Sequence, residues 1–162
     1  LNAMEPLERI LLTIAGCQVN VHAALQGRVR CLGMVPNDKV PALMQEHDCI
    51  AIPTLEDGIA CSIQEGMASG LVPMATPDAA EVFEHGVSGI RVRFRDMDAI
   101  RKALIFLRDN GERRREMARA ARVLAEQQTW EQFRRDFAAC IRDLDKPFES
   151  PMPWLKHAPF LQ

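Results

Sequence analysis

Residues 49–76 read CIAIPTLEDGIACSIQEGMASGLVPMAT. The apolar run Cys49 to Ile52 closes at Pro53, and the run Leu71 to Ala75 closes at Thr76. Short apolar runs without polar alternation are expected of strands covered on both faces. Between them, Ser62 to Ser69 has a helical pattern and Gly70 offers a left-handed stop. Strand, helix and strand in one such stretch form a crossover, and crossovers join parallel strands.

The same alternation extends outward. Ile10 to Ile14 reads as a strand ending at Gly16, and Val29 to Leu32 as one ending at Gly33. Gly89 to Phe94 alternates Ile90, Val92 and Phe94 with Arg91, Arg93 and Arg95, as at a sheet edge. Asn37 or Asp38 is placed to cap a helix through Glu46 with Pro41 in its first turn, where a missing N–H costs little. Asp78 is placed to cap a short helix to Glu84, closed by His85 and Gly86.

From Asp96 the pattern is helical throughout. Asp96 caps a helix through Asn110 with Gly111 as stop, and Glu112 to Gln127 forms a second. Thr129-Trp130-Glu131-Gln132 is a capping box opening a third, to about Asp143. The expected architecture is α/β: a Rossmann-like doubly wound parallel sheet of about five strands, then C-terminal helices and an extended tail. Residues 1–4 read as a cloning remnant, 5–145 as the Rossmann-like domain and 146–162 as a Pro-rich tail. That tail holds Phe148, Trp154, Leu155, Phe160 and Leu161, too many apolar side chains for a free end, so it is expected to dock.

The composition of the 162 residues, 48% hydrophobic and 26% charged with 9 Gly and 10 Pro, is that of a globular domain. Five scattered cysteines, none in a C-x-x-C pair, argue against a disulfide framework or a zinc ribbon and for a reduced, cytoplasmic protein. The apolar run Ile10 to Ala15 is too short for a membrane span or signal peptide. Net charge is −2, but residues 1–90 hold 4 basic against 11 acidic side chains and residues 91–135 hold 13 against 7. The arginines of the basic stretch alternate with acids on helices, and Tyr is absent, so a solvated helical face is favoured over nucleic-acid binding.

Ligands of open parallel sheets bind beyond the carboxyl ends of the strands. The richest such end is 53–65, with Glu56, Asp57 and Glu65, Gly58, and then a helix N-terminus whose free N–H groups suit a phosphate. Carboxylates beside a phosphate make sense as acceptors for the paired hydroxyls of a ribose or hexose. Each residue also has a plainer reading. Ser62-Ile63-Gln64-Glu65 fits a capping box, which periodicity alone favours for Glu65, and Asp57-Gly58 fits a turn. Cys61 could be a nucleophile activated by the helix end, but without a histidine partner a small buried thiol is the favoured reading. His85 reads as a helix C-terminal residue. His22, His47, His85 and His157 are dispersed, so no metal site is expected.

The ordered series Val29 to Pro36, Asp48 to Pro53, Pro53 to Gly70, Ala75-Thr76 and Glu81-Val82-Phe83-Glu84-His85-Gly86-Val87-Ser88-Gly89 resembles the donor-binding domain of retaining GT-B glycosyltransferases of the group 1 type. Thr129-Trp130-Glu131 is similar to that family's Ser-Trp-Glu helix start, and the resemblance covers about residues 9 to 143. It implies a nucleotide-sugar substrate (a UDP, GDP or ADP sugar), no cofactor and no metal. The family's two glutamates eight positions apart fall on Asp57 and Glu65. The resemblance then gives Glu65 the ribose hydroxyls and Asp57 the transferred sugar, as the catalytic pair. Gly58 forms the turn between them, and the backbone N–H groups of Ile59, Ala60, Cys61 and Ser62 lie near sugar and diphosphate. Gly33, Met34 and Val35 border the base.

The chain departs from the family pattern at several points. Asp57 is one methylene shorter than the usual glutamate, Ala60 replaces a glycine, and Pro77-Asp78-Ala79-Ala80 shortens a Gly-Gly-x-Pro stretch. By the same resemblance, the first strand, whose arginine and lysine neutralise the diphosphate, is expected to have no counterpart before Glu5, and the N-terminal acceptor domain with its catalytic histidine is expected to lie outside these 162 residues. The expectation is therefore the donor-binding half of a retaining hexosyltransferase acting on a glycan or lipid-linked glycan, inactive as this chain alone. Bacterial polysaccharide or lipopolysaccharide synthesis, at the cytoplasmic side with peripheral membrane association of the full-length protein, is what the resemblance suggests. The alternative is a degenerate domain of the same fold serving association without catalysis.

Overall fold

The computed structural model describes residues 9–55 and 60–142. A division into compact units falls between Gln127 and Gln128. The first unit contains β1 (Leu12–Ala15), β2 (Val29–Gly33), α1 (Val40–Gln45), β3 (Cys49–Ile52), α2 (Cys61–Ala68), β4 (Val72–Ala75), β5 (Ile90–Arg91), α3 (Met97–Asp109) and α4 (Gly111–Gln127). All strand pairings are parallel. The strands form two hydrogen-bonded ladders, β1-β2 and β3-β4-β5, a finer division than one continuous sheet of five. Between the ladders, His47 Nδ1 lies 2.7 Å from Leu43 O and Nε2 lies 2.8 Å from Thr13 Oγ1. A carbonyl only accepts, so Nδ1 carries a proton and the ring ties the end of α1 to β1.

The apolar runs sort as their period requires. In β4, Val72 and Met74 enter one core with Ile90, Val92, Ala103, Leu107 and Met117. Ala75 joins the other, with Ile63 and Met67 of α2, Ala80, Phe83 and Ala121. Helices thus cover both faces of β4, and α4 contributes Met117 to one core and Ala121 to the other. The expectation of double cover fails for β3, where Ala51 is exposed. Ile50 and Ile52 pack on the α2 side and Cys49 on the other, leaving Ala51 open. Strand β5 shortens to two residues but pairs only with β4, as an edge should.

Helix ends depart from expectation in three places. Neither Asn37 nor Asp38 caps α1: a 3-10 turn, Asn37–Lys39, precedes it, and Lys39 is the N-cap without a side-chain bond. The short helix expected to Glu84 is only a 3-10 turn, Pro77–Ala79, entered through Thr76. Gly111 does not stop α3 but begins α4. Asn110 is the C-cap, where the backbone leaves the helical region at φ −115, ψ 65 after a last helical N–H bond to Phe106 O, to which its Nδ2 also donates. Asp96 caps α3 as expected, accepting from Ala99 N–H at 2.9 Å. That bond and the Arg93 guanidinium hold its carboxyl below the ordinary range.

In the second unit α5 spans Trp130–Arg142, and Thr129 Oγ1 caps it by accepting from Gln132 N–H at 3.1 Å. The reciprocal half of the expected capping box does not form, because the Gln132 side chain donates to Asp136 and accepts from Arg135 instead. Trp130 meets Phe133 edge-on at 5.7 Å, and Phe133 stacks on Phe137 at 5.9 Å. Residues 1–8 and the tail expected to dock lie outside the described residues.

Burial and the neighbouring Asp48 carboxylate push the Cys49 thiol up to about 12, against the opposing pull of Arg114. The folded state therefore keeps a proton that the unfolded chain releases near pH 9. This stabilisation is complete below about pH 9 and is lost as pH rises toward 12. The midpoint of urea unfolding should fall between pH 9 and 11, and by less in Cys49→Val. At pH 8 Ellman's reagent should modify exposed Cys17, Cys61 and Cys140 and spare Cys49.

Candidate functional site

Helix α2 begins directly after the loop that leaves β3. Its N-cap is Ala60, in extended conformation and with no side-chain capping bond. Ser62 is thus inside the helix, and Ser62 to Glu65 is not a capping box. The reading that made Glu65 structural is removed. Glu65 is exposed, and its carboxylate has no partner among the described residues. Ala60 is buried and Ser62 half-buried. The N–H groups of Cys61 and Ser62 have no i−4 carbonyl within the helix, as at any helix start.

Cys61 was expected to be a small buried thiol; it is exposed. The side of α2 that packs inward is set by Ile63, Gly66 and Met67, and Cys61 falls off it. Gly66 lets the helix approach β3, since a Cβ there would lie 2.7 Å from Ile50 Cγ2. His85 ends no helix, contrary to expectation; its Nδ1 accepts Arg91 N–H at 2.9 Å.

The loop after β3 is tied to β4 by a bond the sequence did not advertise. Thr76, buried at the end of an apolar strand, donates its hydroxyl to Thr54 O at 2.7 Å. The available signal was a polar residue directly following a strand covered on both faces, because such a hydroxyl needs a partner. At the end of β2, Gly33 has φ +64 and its carbonyl accepts from Gly16 N–H at 2.7 Å. A Cβ on Gly33 would lie 2.8 Å from Gln18 Nε2. Met34 is strongly exposed (83%) and Val35 half-buried.

The structure therefore brings Ala60, Cys61, Ser62 and Glu65 together on the opening turns of α2. Gly33, Met34 and Val35 form a second group at the end of β2. No hydrogen bond joins the two groups among the described residues. Asp57, Gly58 and Ile59 lie outside the described residues. Among the described residues no group of three or more His, Cys, Asp or Glu side chains suits a metal ion, and no helix is long and apolar enough to cross a membrane.

The family model for glycosyl transferases group 1 matches residues 1–110. No curated protein matches the chain. Among solved structures, it is similar to the C-terminal domain of the glycosyl transferase group 1 family protein LpcC from Francisella tularensis. That match is 20% identical, with TM-score 0.62 over 65% of this chain and 56% of that one. Anabaena Alr3699/HepE in complex with UDP is 19% identical, with TM-score 0.78 over 88% of this chain and 44% of that one. Sucrose-phosphate synthase from Thermosynechococcus elongatus is 16% identical, with TM-score 0.77 over 88% and 40%. At these identities the likeness is one of fold, and the chain spans about half the length of these structures.

Proposed function

The chain belongs to the glycosyl transferases group 1, with the Rossmann-like fold of a GT-B domain, and from that premise we propose that it is the donor-binding half of a retaining sugar transferase. The observation that carries the reading is Glu65, an exposed carboxylate without a partner among the described residues, one turn into a helix whose start offers backbone N–H groups. Glu65 accepts the ribose hydroxyls. The N–H groups of Ile59 to Ser62, with the dipole of α2, take the diphosphate, and Asp57 orients the sugar. Gly33, Met34 and Val35 border the base, and Gly58 supplies the turn. The Anabaena relative is described with UDP and with UDP-glucose, which supports a nucleotide sugar as ligand.

In the full protein the sugar passes from a UDP, GDP or ADP donor to a hydroxyl of a glycan or lipid-linked glycan. The developing diphosphate charge is stabilised by fixed N–H dipoles without a metal. The 162 residues by themselves are proposed to bind donor without transferring sugar, a reading supported by their spanning about half the length of the similar structures. Incubation with labelled UDP, GDP or ADP sugars and glycan acceptors should give no product, with or without a chelator. Turnover by the chain would overturn this half-site reading. A second reading, an association module, is favoured by Ala60: its buried methyl stands where the family has glycine. It predicts no nucleotide-sugar binding at millimolar ligand.

A further inference from the structure

We propose that Arg91 is a positioning residue for the diphosphate end of the donor site, acting through the segment 77–85; this rests on the donor-site reading above. Of the three arginines in the β5 run, Arg93 pairs with Asp96 and Arg95 lies over the Phe94 ring at 5.1 Å. Arg91 has no carboxylate partner among the described residues. Its Nη2 donates to Ala80 O at 3.3 Å and to Phe83 O at 3.0 Å. Its backbone N–H donates to His85 Nδ1 at 2.9 Å. One residue thus fixes the segment at three points, with a charged donor where carbonyls outside regular structure need partners.

The segment so held borders the site. Ala79, Ala80 and Phe83 pack in one cluster with Ala60 and Ile63, the start of α2. At its other end Thr76 holds the loop after β3 through Thr54 O. From the far side Ser88, buried, accepts Glu84 N–H at 2.9 Å. Releasing the Arg91 bonds frees the backbone at 80–83 and with it the support of the first turn of α2. The β2 end, where the base is proposed, makes no part of this cluster. Arg91 therefore affects recognition of the second phosphate more than recognition of the nucleoside.

The test compares wild type, Arg91→Met and Arg91→Lys by amide hydrogen exchange and by calorimetry. The ligands are UDP, GDP and ADP, each against its monophosphate. In Arg91→Met, exchange at residues 80–84 should accelerate at least tenfold without acceleration in α3, and the diphosphate-to-monophosphate affinity ratio should fall at least fivefold. Arg91→Lys, which keeps a cationic donor, should recover a substantial part of both, and it carries the test if Arg91→Met does not fold. A general loss of stability would not move the ratio. Unchanged exchange at 80–84, or an unchanged ratio in a folded variant that binds nucleotide, overturns the inference alone. Failure of wild type to bind any nucleotide overturns the donor-site reading and this inference with it.

Discussion

Glu65→Ala is expected to weaken nucleotide-sugar binding by about ten- to a hundredfold while leaving the fold intact. A carboxylate accepting from sugar hydroxyls makes hydrogen bonds worth about 1.5–3 kcal/mol, and each 1.4 kcal/mol is about a factor of ten in affinity. The structural cost is small because Glu65 is exposed, caps nothing and has no side-chain partner among the described residues. Surface substitutions away from such features stay within about 0.5 kcal/mol. Calorimetry for affinity and circular dichroism melting for stability separate the two effects. A capping glutamate would show the reverse, lowered stability with unchanged affinity.

Gly89→Ala should produce a large loss of stability, because the added methyl has no room. A Cβ there would come within 2.7 Å of Phe83 Cε2 and 2.8 Å of Pro73 Cγ. Neither neighbour yields easily. Phe83 is buried among Ala79, Ala80 and α2, and Pro73 is a rigid ring fully buried in the central strand. Overpacking of this kind costs about 1–3 kcal/mol, and the rigidity of both neighbours places this site near about 3. For a unit of this size that lowers the melting temperature by about 10 °C. Gly66→Ala meets Ile50 at its branch methyl Cγ2 and, at 3.2 Å, its Cβ, a side chain stiff at χ1, so it too should lose stability, against one neighbouring residue instead of two. Equal melting temperatures for the Gly89 variant and wild type would contradict the close approach of the 83–89 loop to β4.

Much of the fold was legible because its strands are short, apolar and punctuated. Cys49 to Ile52 is the strand expected from its run and from Pro53, and Gly70, with φ +87, ends α2 as its position suggests. What the sequence concealed were effects of neighbours. Ala51 reads as core but lies on the edge strand of a three-stranded ladder and is exposed. Gly111 reads as a stop, but the backbone turns out of the helix at Asn110 and Gly111 already begins the next one. At the site, periodicity gave Ser62 to Glu65 a capping role because it could not place the N-cap two residues earlier, at Ala60. The bonds of Thr76 and Arg91 join residues 22 and 8 to 11 positions apart, beyond the reach of any local pattern.

The membership in a transferase family and the fold leave one claim to be measured directly, that this chain holds a nucleotide sugar at the start of α2. Isothermal titration of the chain with UDP-glucose, and with GDP- and ADP-glucose alongside, reads it without any acceptor. The account predicts saturable heat with at least one of them at micromolar to millimolar concentration, unchanged by chelator and weakened about ten- to a hundredfold in Glu65→Ala. Absence of heat with all three up to millimolar ligand, or equal binding by Glu65→Ala, would contradict it.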